Sequence, residues 1–310
     1  MKTITGKYDL VVIGGGPSGM MAAGRAAELG ARVLLLEKNK SLGKKLLLTG
    51  GGRCNLTNNI IDTKEFLKHF PQSKEFLYSP FSKFSVQDTL NFFEKNGLRL
   101  VIEAHDRVFP KTQKAEHVLG VLERYMKINN VEIRRNMKVQ DISVREDKKI
   151  LIRMKDEQFL SNAAVIATGG LAAPETGSTG DGFTFLKKLG HTIQKPNPNL
   201  VPITSSTRWI HNLSGLTLSF MTIHFKQNEK TVLKKTGKIL FTHFGISGPL
   251  VLNSSYEVTQ LLKKGPLHAS IDMFPDTEEN ELDRRVFNLF EKNKNKALKN
   301  ILPEIVHKSM

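Results

Sequence analysis

The first forty residues alternate between short apolar runs and one glycine-rich turn. Residues 9–13 (DLVVI) form a largely apolar run without polar alternation, which is typical of a strand covered on both faces. The turn GGGPSG follows at 14–19, and residues 18–29 place small side chains at helical spacing before Gly30. Residues 32–36 form a second apolar run that stops at Glu37. The pattern predicts strand, glycine turn, helix and strand, in that order.

The turn matches G-x-G-x-x-G through Gly14, Gly16 and Gly19. In a dinucleotide site these glycines allow the tight turn, the approach of a pyrophosphate and close helix packing, respectively. The helix directs its N-terminal amides and positive dipole end at the phosphate. Glu37, about twenty residues further on, would accept hydrogen bonds from a ribose hydroxyl and repel a 2′-phosphate. These features favour FAD or NAD over NADP, and an ordinary glycine-rich turn is the alternative.

Two further glycine segments could approach a ligand. Residues 50–52 are three glycines within KKLLLTGGGRCNLTN, where Lys45 and Arg53 add positive charge. An apolar strand at 163–167 ends in Thr168-Gly169-Gly170, at the end of a parallel strand where ligands bind. Taken alone, residues 50–52 could equally be a surface loop, and spacing alone favours a simple strand-to-loop turn at 168–170.

The middle of the chain predicts helices followed by strands. Seven phenylalanines between 59 and 100 have helical spacing, so we expect most of them in the core rather than on a base-stacking surface. Ser85 and Asp88 form a capping-box pattern before a helix ending near Gly97, and a second helix is expected over 113–129. Strands are expected near 131–134, 138–144, 149–154 and 163–167, with a β-meander between 137 and 160.

The composition changes after Gly190. The stretch KPNPNLVPI at 195–203 is typical of a linker, residues 201–273 are β-like, and a helical region follows from Thr277. We therefore expect a first domain over 1–194 and a second over 195–310, divided into a β-rich part (195–274) and a helical part (275–310).

Composition indicates a globular protein without a recognisable membrane or signal segment. The chain has 310 residues, a single cysteine and a net charge of +16. One cysteine excludes an internal disulfide and suits a reducing cytoplasm. The positive charge invites a nucleic-acid interpretation, but the lysines are scattered, so a generally basic surface is favoured and a nucleic-acid partner is not expected. No metal-ligand spacing or catalytic triad stands out, and Cys54 is a packed residue or a redox residue.

Several segments resemble one family of bacterial flavoproteins. GKKLLLTGGGRCNLTN at 43–58, DRVFPKT at 106–112, ATGG at 167–170, TGSTGDG at 176–182 and GKILFTHFGISGP at 237–249 occur in the order found in the HI0933-like family, typified by aminoacetone oxidase and BaiN-like proteins. The resemblance extends from the first strand to at least Pro249.

The resemblance implies an α/β fold, with a Rossmann-like FAD-binding domain, a parallel sheet and a meander, plus an insert domain made of a small β-barrel and helices. It also implies that the backbone of Val139 lies beside the adenine, and that the family's return from the insert to the FAD domain lies beyond this sequence. The residues then expected to bind the cofactor are Gly14, Gly16, Pro17, Ser18, Gly19, Glu37, Lys38, Lys45, Gly51, Gly52, Arg53, Cys54, Asn55, Val139, Ala167, Thr168, Gly169 and Gly170.

The function expected from this resemblance is FAD-dependent oxidation or reduction of a small amine, ketone or enone, by hydride exchange with flavin N5. NAD(P)H would act as a transient reductant, since no second dinucleotide turn is present. Two alternatives remain open: an RNA-associated flavoprotein and a non-catalytic FAD-binding module. The residues identify no catalytic group.

Overall fold

The computed structural model describes residues 4–70 and 72–307, and the described chain divides into two compact units. The first unit ends at Ile193 and the second begins at Gln194. Each has a sheet and a cluster of buried apolar side chains, as a folded domain requires.

The first unit contains a mixed sheet, a small antiparallel sheet and helices. Its strands are β1 (Ile4–Ile13), β2 (Val33–Leu36), β3 (Thr57–Asn58), β4 (Leu100–Glu103), β5 (Arg107–Pro110), β6 (Glu132–Arg134), β7 (Asp141–Val144), β8 (Ile150–Arg153) and β9 (Gln158–Ile166). Its helices are α1 (Pro17–Glu28), α2 (Lys44–Leu48), α3 (Thr63–Leu67), α4 (Lys74–Lys83), α5 (Val86–Lys95), α6 (Ala115–Ile128) and α7 (Asp181–Lys188).

The main sheet has the order β6-β2-β1-β9-β8-β7, and the small sheet has the order β3-β5-β4. The first four strands in the main sheet, β6, β2, β1 and β9, are parallel to one another. Val12 of β1 lies opposite both Leu35 and Val165. Successive residues of β1 enter different cores: Val12 packs with the helices α1 and α6, whereas Val11 packs with β7 and β8. This two-sided burial explains why the first strand is a continuous apolar run.

The predicted meander is confirmed: β7 pairs with β8 and β8 with β9, both antiparallel. β9 starts earlier than expected, at Gln158, because its first half pairs with β8 and its second half continues beside β1. The meander thus returns the chain to the centre of the parallel sheet. There the carboxyl end of β9 lies next to that of β1, where the glycine turn begins.

The helix signals also hold. Ser85 and Asp88 form the reciprocal capping box at the start of α5, and the helix predicted over 113–129 is α6. The phenylalanine expectation is wrong. Of the seven, Phe93 alone is buried, at 6% exposure, and Phe70, Phe76 and Phe84 are exposed. The exposure of Phe76 follows from its position in α4, a surface helix without a buried residue.

The second unit is built on an antiparallel sheet with the order β10-β13-β12-β11-β14. Its elements are β10 (Ile203–Thr204), α8 (Arg208–Asn212), β11 (Thr217–Gln227), β12 (Lys230–Thr242), β13 (Gly245–Ser247), α9 (Pro249–Leu262), β14 (His268–Asp272), α10 (Glu279–Lys292) and α11 (Leu298–Ile301). Among the described residues no ladder joins β10 to β14, so the strand pairing is that of an open sheet rather than the expected small β-barrel. At one edge of this sheet β10 contributes only two paired residues, whereas β14 at the other edge contributes five.

The β-like interpretation of residues 201–273 missed two helices, the short α8 and the longer α9. Residues 249–262 form α9, which packs Leu250, Val251 and Val258 into the core of this unit. Gly248 enters the helix at φ +93 and Pro249 occupies the first turn, where proline is well tolerated.

The boundary near 194–195 remains a prediction that proteolysis can check. Residues 191–202 lack helix and strand, and most of them are exposed. We therefore expect limited digestion with a protease of broad specificity, such as subtilisin, to cut first near Lys195 and to leave two resistant fragments, because exposed irregular segments are the preferred sites of nicking. First cleavage within residues 4–190, with Lys195 intact, would contradict the boundary.

Candidate dinucleotide site

The three glycines of the first turn have different structural constraints. Gly14 has φ +111, and a Cβ there would overlap the carbonyl oxygen of Ala167. A Cβ at Gly19 would overlap the carbonyl oxygen of Gly14. Gly16 differs, because it has φ −78 and ψ 176, and a Cβ there meets no atom within 4 Å. The fold requires Gly14 and Gly19, whereas the space over Gly16 is left open by the protein.

Glu37 immediately follows β2 and joins the glycine turn to the following loop. Its side chain is 7% exposed; Oε2 accepts from the amide of Gly15 at 2.7 Å. Oε1 accepts from both the amide and the side-chain Nδ2 of Asn39, each at 2.7 Å. Since a carboxylate oxygen accepts about two hydrogen bonds, Oε1 is saturated and Oε2 retains one acceptor position. That position could serve a ribose hydroxyl.

Two lysines connect this region to the segment 172–181. Lys38 Nζ donates to Thr179 Oγ1 and Asp181 Oδ2, both at 2.7 Å. Lys45 Nζ donates to the carbonyl of Ala172 and to Ser178 Oγ, both at 2.6 Å. Burial acts to raise the pKa of Asp181, but the hydrogen bonds from Lys38 and Thr179 outweigh it and hold that pKa below its usual value.

The charges of these lysines differ. The Lys38 ammonium is neutralised by Asp181, whereas Lys45 has no carboxylate within ion-pair distance in the described residues. Lys45 therefore contributes an uncompensated positive charge to the wall of the cavity, where a phosphate would be attracted.

A cavity of about 250 Å³ lies between the turn, the end of β2 and the end of β9. This volume is below the roughly 300–1,000 Å³ of pockets that enclose a whole drug-sized ligand, so it suits one end of a dinucleotide. The predicted residues that line it are Gly14, Gly16, Pro17, Ser18, Glu37, Lys38, Lys45, Val139, Ala167, Thr168 and Gly169. The predicted residues outside its lining are Gly19, Gly51, Gly52, Arg53, Cys54, Asn55 and Gly170.

The second glycine loop is held by contacts of its own. Arg53 donates to both oxygens of Glu103 at 3.1 Å and to Gln113 at 2.9 Å, and its guanidinium lies 4.0 Å from the ring centre of Phe109. Cys54 is 6% exposed, and burial raises the pKa of its thiol. These environments favour the packing role of Cys54 over a redox role, because the reactive form is the thiolate.

The cavity residues outside the predicted set include Asn39, Thr176 and Ser178. Asn39 holds Glu37 and also donates to the carbonyl of Thr176 at 3.1 Å, and Ser178 accepts from Lys45. Thr176 and Ser178 belong to the TGSTGDG segment, which is a recognisable motif in the sequence. Its position beside residues 37–45 depends on contacts between residues more than 130 positions apart, which the sequence does not indicate. No sequence feature marked Asn39 as a site residue, apart from its position two residues after Glu37.

The residues present fit a dinucleotide such as FAD. The open space over Gly16 suits a pyrophosphate at the start of α1, the remaining acceptor of Glu37 suits a ribose, and Lys45 supplies positive charge. Within the described part of the chain, no group of three or more histidine, cysteine, aspartate or glutamate side chains could hold a metal ion. Nor does any described helix have the length and apolar character needed to cross a membrane.

Comparison with known proteins places this chain in a family. A family model described as the HI0933-like protein Rossmann domain matches residues 8–263. The chain is 30% identical over 280 residues to a 3-dehydro-bile acid delta(4,6)-reductase of Clostridium scindens, covering 89% of this chain and 67% of that protein. It is 27% identical over 272 residues to a ribosomal RNA dihydrouridine synthase of Escherichia coli, covering 88% and 65%.

A second ribosomal RNA dihydrouridine synthase, from Haemophilus influenzae, is 27% identical over 255 residues, covering 79% of this chain and 60% of that protein. The chain thus spans about two thirds of the length of these relatives. Among solved structures, the open conformation of a flavocytochrome c3 fumarate reductase gives a TM-score of 0.50 at 16% identity, over 70% of this chain and 47% of that one. That likeness supports the fold. The chain belongs to the HI0933-like family of FAD-dependent oxidoreductases.

Proposed function

We propose that the first unit holds FAD with its adenosine ribose on Glu37 and its pyrophosphate over Gly16. The observation that carries this proposal is the open space at Gly16, where the protein would tolerate a side chain but a phosphate would not. Lys45 meets the phosphate charge, and the side chain of Val139 is buried in the cavity wall on the adenine side. The glycine loop at 50–52 lies outside the lining of this cavity, and we assign it to the rest of the cofactor.

The reaction proposed is the reduction of a carbon–carbon double bond conjugated to a carbonyl. The bile-acid reductase and the dihydrouridine synthases have names that share this chemistry, since an enone and a uracil both carry such a bond. A hydride is added to the carbon β to the carbonyl and a proton to the α carbon. Bound FAD supplies the hydride chemistry, and NAD(P)H is the proposed source of the electrons.

The test is anaerobic turnover by the FAD-loaded protein with NADH or NADPH, using a cyclic enone, an amine and a saturated ketone as parallel substrates. We expect consumption of the enone with stoichiometric oxidation of the nicotinamide, and none with the ketone or amine. Reduction of the bound FAD by the amine in the absence of nicotinamide, without enone reduction in the complete assay, would overturn the reaction class while leaving the FAD site in place.

A second candidate substrate is a uracil within RNA. Two of the relatives are named for ribosomal RNA, and the net charge of +16 favours association with a polyanion. The sequence alone did not lead us to expect a nucleic-acid partner, because its lysines are scattered. Conversion of uridine in unmodified ribosomal RNA, without reduction of free enones, would decide for this substrate over the small molecule.

A further inference from the structure

A basic cleft lies on the first unit, outside the dinucleotide cavity. It is lined by residues 97–99 after α5, by Lys111 and Thr112 after β5, and by the exposed face of α6, and its volume is about 620 Å³. The backbone amide of Lys111 donates to the carbonyl of Arg99 at 2.8 Å, which brings these two basic residues side by side. Arg124 and His117 face the cleft from α6.

The helix α6 presents this face by its residue spacing. Val118 and Leu122 lie in the core, whereas Glu116, Gly120 and Arg124 follow one another at intervals of four and line the cleft. Gly120 leaves the middle of that face without a side chain, so the cleft reaches the helix backbone. The result is a shallow groove rather than a flat surface.

The positive charge of the cleft is not compensated by the protein. In the described residues, Arg99, Lys111 and Arg124 form no ion pair, although many other basic residues of the first unit do. Arg124 reaches only the carbonyl of Asn96, at 3.5 Å, and Glu116 is the single carboxylate among the lining residues. Guanidinium groups with unused donors match phosphate oxygens in geometry and charge.

The cleft is continuous with the second glycine loop. Lys111 and Thr112 lead directly to Gln113, which accepts a hydrogen bond from Arg53 at 2.9 Å. Two residues later, the amide of Ala115 donates to the carbonyl of Gly52 at 2.9 Å. A nucleic-acid strand lying in the cleft would therefore run beside the glycine loop at 50–52, which we assign to the rest of the cofactor.

We propose that this cleft binds the sugar–phosphate backbone of RNA through Arg99, Lys111 and Arg124. The proposal rests on the second candidate substrate, RNA, and names the surface that receives it. Each of the three cations contacts a phosphate, and the backbone contacts orient the strand without reading its sequence.

The experiment measures binding of a short fluorescein-labelled hairpin RNA to the FAD-loaded full chain at several salt concentrations. The cleft variant is R99E/K111E/R124E, and R99Q/K111Q/R124Q is its milder companion. The matched control is K83E/K155E/K187E, which reverses three exposed lysines that form no ion pair in the described residues and lie outside the cleft. Circular dichroism and flavin content verify that each variant is folded.

We expect the wild-type chain to bind the RNA with steep salt dependence. The cleft variant should bind at least about tenfold more weakly at moderate salt, and the slope of log Kd against log salt should fall by about 2–3, roughly one for each lost phosphate contact. The glutamine variant should lie between, and the control should keep the wild-type slope to within about one.

Other outcomes overturn the proposal in distinguishable ways. Equal losses in the cleft and control variants would mean diffuse attraction to a basic surface. If the wild-type chain binds anionic phospholipid vesicles as strongly as it binds RNA, the cleft is an unspecific anion-binding surface. If the wild type converts uridine in RNA and the cleft variant does so equally well, RNA remains the substrate but the cleft is not its binding surface. If the wild type binds no RNA, both the RNA substrate and the role of the cleft are wrong. Reduction of a free enone would still support the proposed flavin chemistry.

Discussion

Gly16→Val is expected to abolish FAD binding without disturbing the fold. Residue 16 has φ −78 and ψ 176, which valine adopts readily, and a Cβ there meets no atom within 4 Å. The added side chain would instead occupy the space proposed for the pyrophosphate. The FAD dissociation constant should rise at least about a thousandfold, which corresponds to about 4 kcal/mol. Flavin fluorescence titration measures the loss, and far-ultraviolet circular dichroism and the melting temperature of the apoprotein should stay unchanged.

Gly19→Val is the matched comparison. It introduces the same side chain three residues away, but its Cβ would overlap the carbonyl oxygen of Gly14, so the turn and the start of α1 must shift. We expect this variant to lose stability as well as FAD. Stoichiometric, tightly bound FAD in Gly16→Val would show that the pyrophosphate does not lie over this turn.

Glu37→Ala is expected to weaken FAD and the apoprotein together. Losing a charge-assisted hydrogen bond to the ribose costs about 1.5–3 kcal/mol, or roughly a 10- to 150-fold rise in the dissociation constant. The buried amide of Gly15 and both donors of Asn39 also lose their acceptor, which lowers the free energy of unfolding. Titration and chemical denaturation measure the two effects separately.

Glu132→Ala serves as the control for that second effect. Glu132 also accepts from neighbouring groups, Tyr8 at 2.7 Å and Arg134 at 2.9 Å, but it does not line the dinucleotide cavity. It should lower stability and leave FAD affinity unchanged. If Glu37→Ala changes stability alone, as Glu132→Ala does, the carboxylate is a support for the turn and the ribose contact is wrong.

The elements that sequence predicted best are those whose causes are local. The run DLVVI, the glycine turn, the helix after it and Glu37 lie within thirty consecutive residues, and each step is determined by its neighbours. The capping box at Ser85 and the meander before β9 are local in the same sense. Their bounds shift by a few residues, as in β9, because tertiary pairing decides where a strand starts.

The site residues and packing that the sequence does not predict depend on contacts with residues distant in the chain. Asn39 is a cavity residue because Glu37 and Thr176 both lie against it, and Thr176 is 137 residues away. The phenylalanines of α4 had the right spacing for a core, but nothing local states that the helix packs on the surface. The helix α9 was hidden by a composition that also suits strands, and its glycine and proline start was the available signal.

The ties of Lys38 and Lys45 to residues 172–181 have a consequence for the order of events during synthesis. They join positions 127–143 residues apart, so the wall of the cavity is incomplete until Asp181 has left the ribosome and β9 has inserted beside β1. At about 5–20 residues per second, the emerging glycine turn waits on the order of ten seconds for its other half. During that interval the open edge of β1 is exposed to misassembly. Cofactor capture is therefore a late step, which follows the insertion of β9 and the docking of residues 172–181 against the two lysines.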